Sequence, residues 1–374
     1  VVEDTDTFAP GWPGIPARWT SSAKSGLGTA VSRDSRVWFT LSHGILNEVY
    51  YPRVDHACTR DLGFIVTDGQ THFSEEKRDC RSETEQIAPG ILAYRIRNTS
   101  VDGRYRIEKE VITDPWRDVV LQRVRFVPLQ GTLVDYRLYV LLAPHLANRG
   151  GGNTAWVGDY KGAPMLFAER DHHALALACT APWLSRSAGF VGASDGWQEL
   201  QANKRLTRTY TRAENGNVAV TGEIDLSSSD GTFVMALGFG PTSMEAGQHT
   251  LISLLEDFEG TQAEYVRAWK AWHARLKNGI PPKARSPLYH TSAAVLRAHE
   301  SKRVEGGIIA SLSIPWGFSK PDDDLGGYHL VWPRDLVEIA GGFIAMGAYE
   351  HVRRVLRYLQ VTQEADGHWS QNMW

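Results

Sequence analysis

The hydrophobic period changes once along this chain, and that change limits the folds open to it. Up to about Gly247 the apolar residues alternate. Leu133 to Pro144 sets Tyr136, Leu138, Val140 and Leu142 on one face, with Asp135 and Arg137 on the other. Trp116 to Pro128 places Val120, Val124 and Phe126 on one parity, and Ala174 to Ala178 and Thr232 to Phe239 are further short runs. A period of two is the signature of a sheet with one wetter side. Turn dipeptides separate the runs: Asp68-Gly69, Asp102-Gly103, Asn215-Gly216 and Asp230-Gly231. Many short strands with hairpin turns predict an antiparallel sandwich over residues 1–250.

The period becomes helical near Leu251. Tyr265, Trp269, Trp272 and Leu276 form an apolar stripe that Gly279 and Pro281-Pro282 end. This segment reads as a linker with a helix, over 251–286. Three more helices are expected beyond it. Pro287 to Arg303 turns Leu288, Ala293, Ala294 and Leu296 inward. Asp335 to Gly347 carries Leu336, Ile339, Ala340, Phe343 and Ile344. Tyr349 to Thr362 follows, as a new helix or a continuation broken at Gly347. Between them runs the long loop Glu305 to Trp332, with a short strand expected at Ile308 to Ile314. Loops beyond ~12 residues in a compact domain are usually functional.

Composition removes several classes. A net charge of -3 gives no basic field for nucleic acid or acidic lipid. No run reaches the ~18 apolar residues of a membrane span. Val1 in place of Met is read as the mark of a processed or trimmed chain; a removed signal peptide is one route to that, which the sequence itself does not show, and an extracellular or periplasmic location is the expectation. Cys58, Cys80 and Cys179 lack metal-site spacing; one disulfide with a spare thiol and three buried thiols both stay open. Thirteen Trp and thirteen Tyr suit the handling of sugar faces, though a large β-domain also buries many rings.

The densest motif is Gly326 to Glu338, GGYHLVWPRDLVE. Arg334 offers a fork of donors and Asp335 only accepts, so neighbours of this kind can bracket a vicinal diol. Asp335 can equally serve the start of a helix, where its charge is favoured. Trp332 and Trp316 fall in loops, and His329 is a candidate donor to a hydroxyl. WSQNMW, ending at Trp374, sets amides beside rings. EVYYPRVD, Glu48 to Asp55, offers Tyr51 and its neighbours either to a ligand or to an adjoining domain. Asp322, Asp323 and Asp324 are oxygen-rich, so a structural calcium is considered, but they lack the alternation of a calcium loop. No cofactor fingerprint, Ser-His-Asp elbow or metal cluster is present. An inverting glycosidase needs two carboxyl groups about 6.5–9.5 Å apart, and no convincing pair is legible; Asp335, beside a guanidinium, reads as an acceptor rather than an acid.

APGWPG, WFTLSHGILNEVYYPRVD, RDLGF, SLSIPWG, HLVWPRDL and DGHWSQNMW, in this order, resemble the amino-terminal portion of prokaryotic glucoamylases and glucodextranases of glycoside hydrolase family fifteen. The resemblance spans essentially the whole chain. It implies an amino-terminal antiparallel β-sandwich, a helical linker and, at 287–374, the first part of an (α/α)6 barrel. It implies exo-hydrolysis of an α-glucan, or malto- and isomalto-oligosaccharides, from non-reducing ends with inversion to β-glucose. Linkage, α-1,4 or α-1,6, stays open, as do a transglucosylase, a trehalose hydrolase and a non-catalytic carbohydrate-binding or scaffold protein. The family's sugar-gripping pair matches Arg334 and Asp335. Trp316, Trp332 and Trp374 match pocket-region positions. The family's catalytic glutamates lie in motifs beyond Trp374, so a carboxy-terminal fragment or second chain is expected to complete the barrel.

Overall fold

The computed structural model describes residues 7–277, 281 and 285–374. The alternating segments form two antiparallel sheets. One runs through β1 (Gly26–Thr29), β2 (Trp38–Ser42), β3 (Ile45–Tyr50) and β4 (Thr59–Thr67), with β5 (Phe73–Glu75) beside β4. A single helical turn, α1 (Glu76–Asp79), leads to the second sheet through β6 (Cys80–Gln86), β7 (Tyr94–Ser100), β8 (Tyr105–Thr113) and β9 (Val119–Pro128). The chain then shuttles between the two. β10 (Arg137–Pro144), β14 (Trp183–Phe190) and β16 (Val218–Ile224) join the first sheet. β11 (Asn153–Tyr160), β12 (Ala163–Arg170), β13 (His173–Cys179), β15 (Arg212–Gly216) and β17 (Thr232–Gly240) join the second. The first sheet orders β1-β2-β3-β4-β10-β16-β14, and the second β15-β11-β12-β13-β17-β9-β8-β7-β6.

Their inner faces share one core. Leu138, Val140 and Leu142 of β10 meet Val120, Val124 and Phe126 of β9 there, on the parities expected. The other side of β10 is wet only in part, with Arg137, Leu141 and Ala143 half-buried. Tyr139 is fully buried with Ile65 beneath Leu200 of α2 (Gly196–Asn203), a helix that no apolar stripe announced. Residues 133–135 form a 3-10 turn, so the strand opens only at Arg137. Asn215 and Asp230 take positive φ at their turns, the backbone that Asn and Asp tolerate best. All three cysteines are free thiols, and burial pushes each of their pKa values up to about 12.

The helical region opens earlier than the sequence period indicates. α3 (Ser243–Leu255) follows β17 directly, capped by Thr242, whose hydroxyl accepts from the Glu245 amide at 3.2 Å. It lies on the outer face of the second sheet, beside Met165, Phe167 and Ala176. α4 (Phe258–Ala274) buries Tyr265, Trp269 and Trp272 against Ile112, Val119, Leu121 and Ala236. It ends at Ala274; Gly279 and Pro282 lie outside the described residues. α5 (Pro287–Ala298), α6 (Pro333–Ala345) and α7 (Tyr349–Thr362) continue the same cluster. α6 and α7 are separate helices. Gly347 between them has φ +72°, and a Cβ there would strike the Lys277 backbone. No strand forms at Ile308 to Ile314; Ile308 makes one isolated bridge with Glu300, and the buried Ile309, Leu312 and Ile314 pack on Trp19 and Trp38. α5 turns its alanines inward, whereas Leu288 is 77% exposed. Val337, Ile344, Leu356 and Val361 on α6 and α7 are also exposed. Among the described residues no helix is long and apolar enough to cross a membrane.

Glu300 ties α5 to α7. Arg354 donates to it through two nitrogens at 2.7 and 2.9 Å, Arg297 at 3.1 Å and His351 Nδ1 at 2.8 Å. The Trp272 indole N–H donates to His351 Nε2 at 3.1 Å, so that nitrogen is an acceptor and the ring is neutral. Burial agrees, since it lowers the His351 pKa against the pull of Glu300. For Glu300, burial alone would raise the pKa. The bonds from His351 and Arg354 and the charge of Arg297 outweigh it and hold the group far below the usual glutamate range. A depressed folded value means the stabilisation is present above the unfolded pKa of about 4.3 and is lost as pH falls toward the folded value. Glu300→Gln is therefore expected to destabilise at pH 7 by about 3–5 kcal/mol, the cost of breaking a buried pair. The difference from wild type should shrink in acid, as read from melting temperatures at pH 7 and pH 3.

Candidate active site

The start of α6 is set by Pro333. The residue before a proline is pushed out of the helical region, and Trp332 is extended at φ -106°, ψ 118°. Proline itself suits the first helical position. Arg334 and Asp335 therefore fall in the first turn, where the helix dipole favours a carboxylate. Asp335 does not cap the helix, and Trp332 supplies no side-chain cap. Arg334 Nη2 lies 3.6 Å from Asp335 Oδ2, an ion pair without a hydrogen bond, and the Arg334 side chain is 84% exposed. Asp335 Oδ2 is itself shielded from solvent and has no hydrogen-bond partner among the described residues.

Rings and loops gather around this turn. Tyr328 stacks on Trp332 with centroids 6.1 Å apart, and the Trp332 indole donates to the Gly327 carbonyl at 3.0 Å. Trp316 is part-exposed and donates to Asp324 at 2.9 Å, while Lys320 pairs with the same carboxylate at 3.0 Å. Gly326 lets these loops close up: at φ +70°, a Cβ would sit 2.5 Å from Pro315 and 2.9 Å from Trp316 Nε1. The carboxy-terminal segment docks alongside. Val331 and Met373 exchange both backbone hydrogen bonds, at 3.0 and 2.9 Å, which brings Trp374 next to the residues preceding α6.

Trp374 reaches across to the sandwich. Its indole N–H donates to Asp55 Oδ2, and Arg53 lies over its ring at 4.9 Å. Arg53 in turn grips Asp55 with two nitrogens at 2.9 and 2.8 Å. His329 is near the same carboxylate. Burial lowers its pKa against the pull of Asp55, and its Nδ1 is buried without a partner among the described residues. Tyr51 does not join this group. It is 2% exposed, packed in the sandwich core and stacked on Phe239 at 5.4 Å. The EVYYPRVD segment thus contributes Arg53 and Asp55 to the boundary with the helices and keeps its second tyrosine inside. Tyr328 and Arg53 were not legible as site residues; Asp55 lies in the segment that the sequence offers to a ligand or an adjoining domain, and it meets the helical half through Trp374. Asp55 and Trp374 are 319 positions apart, and no spacing rule joins them.

The aspartate run is already engaged. Asp322 accepts from Gly150 N at 2.5 Å and, through its carbonyl, from Trp19 at 2.8 Å. Among the described residues, no group of three or more His, Cys, Asp or Glu is placed to hold a metal ion.

Three findings relate the chain to known proteins. The family model described as glucodextranase, domain N, matches residues 9–274. A glucoamylase of Clostridium sp. (strain G0005) is 39% identical over 362 residues, which is 97% of this chain and 51% of that protein. The crystal structure of a bacterial glucoamylase complexed with acarbose superposes with a TM-score of 0.95 at 38% identity, over 99% of this chain and 54% of that one. The chain spans about half the length of these relatives. The architecture is accordingly a β-sandwich, a helical linker and the first part of an (α/α)6 barrel. Asp55→Ala should release the Trp374 ring. Hydroxyl-radical footprinting read by mass spectrometry is expected to show several-fold faster oxidation at Trp374, with Trp269 unchanged.

Proposed function

We infer that this chain, which belongs to the glucodextranase domain N family, is the amino-terminal part of an exo-acting α-glucan hydrolase. The reading rests above all on one observation: the Asp335 side chain, 40% exposed and with one oxygen lacking a donor among the described residues, sits beside an exposed guanidinium. A carboxylate short of donors favours a ligand that brings one. A sugar hydroxyl can donate to its exposed side, and the neighbouring hydroxyl can accept from Arg334. The likeness to a glucoamylase complexed with acarbose supports a saccharide as the ligand.

In this proposal Arg334 and Asp335 hold hydroxyls four and six of the terminal glucose. Trp332, Trp316 and Trp374 line the approach, with His329 behind them. Asp55, held by Arg53, positions Trp374 from the sandwich. The clamp binds and orients the non-reducing end, which makes the enzyme exo-acting. The carboxyl groups that protonate the leaving oxygen and activate water come from the part of the relatives' length that this chain does not span. Water attack opposite the leaving group would release β-D-glucose. The exposed apolar residues of α5, α6 and α7 suit a face that the remaining barrel helices would cover.

The test is glucose release from maltotriose and isomaltotriose by the full-length protein, with the anomer followed by NMR. Release of β-glucose from either supports the reading; no release from either, nor from trehalose, would count against it. Asp335→Asn is expected to lower kcat/KM by about 10–100-fold, the worth of one charge-assisted hydrogen bond of ~1.5–3 kcal/mol, with an unchanged melting temperature. Equal turnover would remove Asp335 from the clamp.

A further inference from the structure

The sandwich carries a cleft whose lining is almost wholly its own, with Phe318 added from the loop before α6. It has a volume of about 470 Å³ and lies on the outer face of the first sheet. Its floor is low because small residues, Gly63, Ala143 and Ala219, share it with Ile45 and Ile65. The walls are Trp197 of α2, the segment at Ile15 and, from the helical half, Phe318, which is 71% exposed at the mouth.

The lining is specific about chemistry. Two of its buried polar atoms have no partner among the described residues: Asn217 Oδ1 and His145 Nδ1. Asn217 donates through Nδ2 to the Ile15 carbonyl at 2.9 Å, so its oxygen is left as an acceptor. His145 is 1% exposed, and burial lowers its pKa, keeping the ring neutral. Three of the wall's cations are paired: Lys77 donates to Asp61 at 2.7 Å, Arg78 lies 3.4 Å from Glu75 and Arg60 lies 3.9 Å from Asp61. Arg18 is exposed on the same wall, but with Asp61, Glu75 and Asp195 beside these cations an anion meets little net positive charge. A purely apolar ligand would cover the polar side chains of the wall without meeting them. A neutral polyhydroxylated ring suits this mixed lining, laying its C–H face on Trp197 or Phe318 and turning its hydroxyls to the polar wall.

We propose that this cleft is a second saccharide site, which takes a short run of neutral α-linked glucose units away from the Arg334–Asp335 clamp. The choice of glucose rests on the α-glucan reading above. The site holds polymer while the clamp processes its free end, so it acts on long substrates and is idle on short ones.

The test uses the full-length protein with soluble starch in affinity electrophoresis and maltotriose in turnover assays. Trp197→Ala and Phe318→Ala are each expected to weaken starch retention at least tenfold and to leave kcat/KM on maltotriose within twofold. Phe318 is exposed, so its variant reads the site even if Trp197→Ala misfolds. Asp335→Asn should do the reverse, losing turnover while starch still retards it. Starch retention by Phe318→Ala and by folded Trp197→Ala equal to wild type overturns the second site and leaves the clamp standing. Absence of maltotriose turnover in the wild-type protein instead overturns the hydrolase reading, whatever the starch result.

Discussion

The two halves of the molecule are joined at the backbone of Thr29. Its carbonyl accepts from Tyr265 Oη at 2.9 Å and from the Trp269 indole at 3.1 Å. The same Tyr265 proton is shared with the Leu92 carbonyl at 2.7 Å, and Trp38 of the sandwich donates to the Ala298 carbonyl at 2.9 Å. Each ring brings large apolar area and one polar atom, and each polar atom finds a partner on the other half. Such a boundary is demanding. A shift of α4 by a fraction of a turn would leave buried donors and carbonyls unpaired, a cost that accumulates at each. The sandwich is thus a template for where the helices begin, and Lys302, buried and donating to Thr29 Oγ1 at 2.7 Å, extends the same contact beyond α5.

That registry is what places the proposed saccharide clamp. Once α4 and α5 are seated, the loop before α6 runs along the sandwich, where Trp19 donates to Asp322 and Ser313 to the Ser22 carbonyl. The bridge from Val331 to Met373 then delivers Trp374 to Asp55. The Arg334–Asp335 turn is exposed, and Trp374, delivered beside the residues that precede it, is fixed by Asp55 and Arg53 of the sandwich. Precise placement of binding groups on rigid supports is what a saccharide pocket requires. In the proposed enzyme the β-domain supports the site without a catalytic group of its own.

Much of this was legible in the sequence, and the failures have physical causes. The stripe of Tyr265, Trp269 and Trp272 read as a buried helix face because a period near 3.6 cannot be mistaken over several turns. The inner face of β10 read correctly for the same reason at period two. Its outer face did not, because α2 covers Tyr139 with little more than Leu200 and so leaves no apolar stripe of its own. Tyr51 sits beside a proline in a loop, which resembles a ligand platform, but stacking on Phe239 depends on a strand formed almost two hundred residues later. The Asp55–Trp374 contact is invisible for the same reason. Local pattern reports which face of an element is apolar; it does not report which distant element covers it.

The most direct test of the central claim, that the sandwich seats a clamp for a terminal hexose, is a crystal structure of the full-length protein with a bound malto-oligosaccharide. The account predicts the non-reducing glucose between Arg334 and Asp335, with the Asp335 carboxylate accepting from a hydroxyl and Trp374 still bonded to Asp55. A saccharide bound with its non-reducing end away from the start of α6, or a Trp374 that has left Asp55 to meet it, would contradict it.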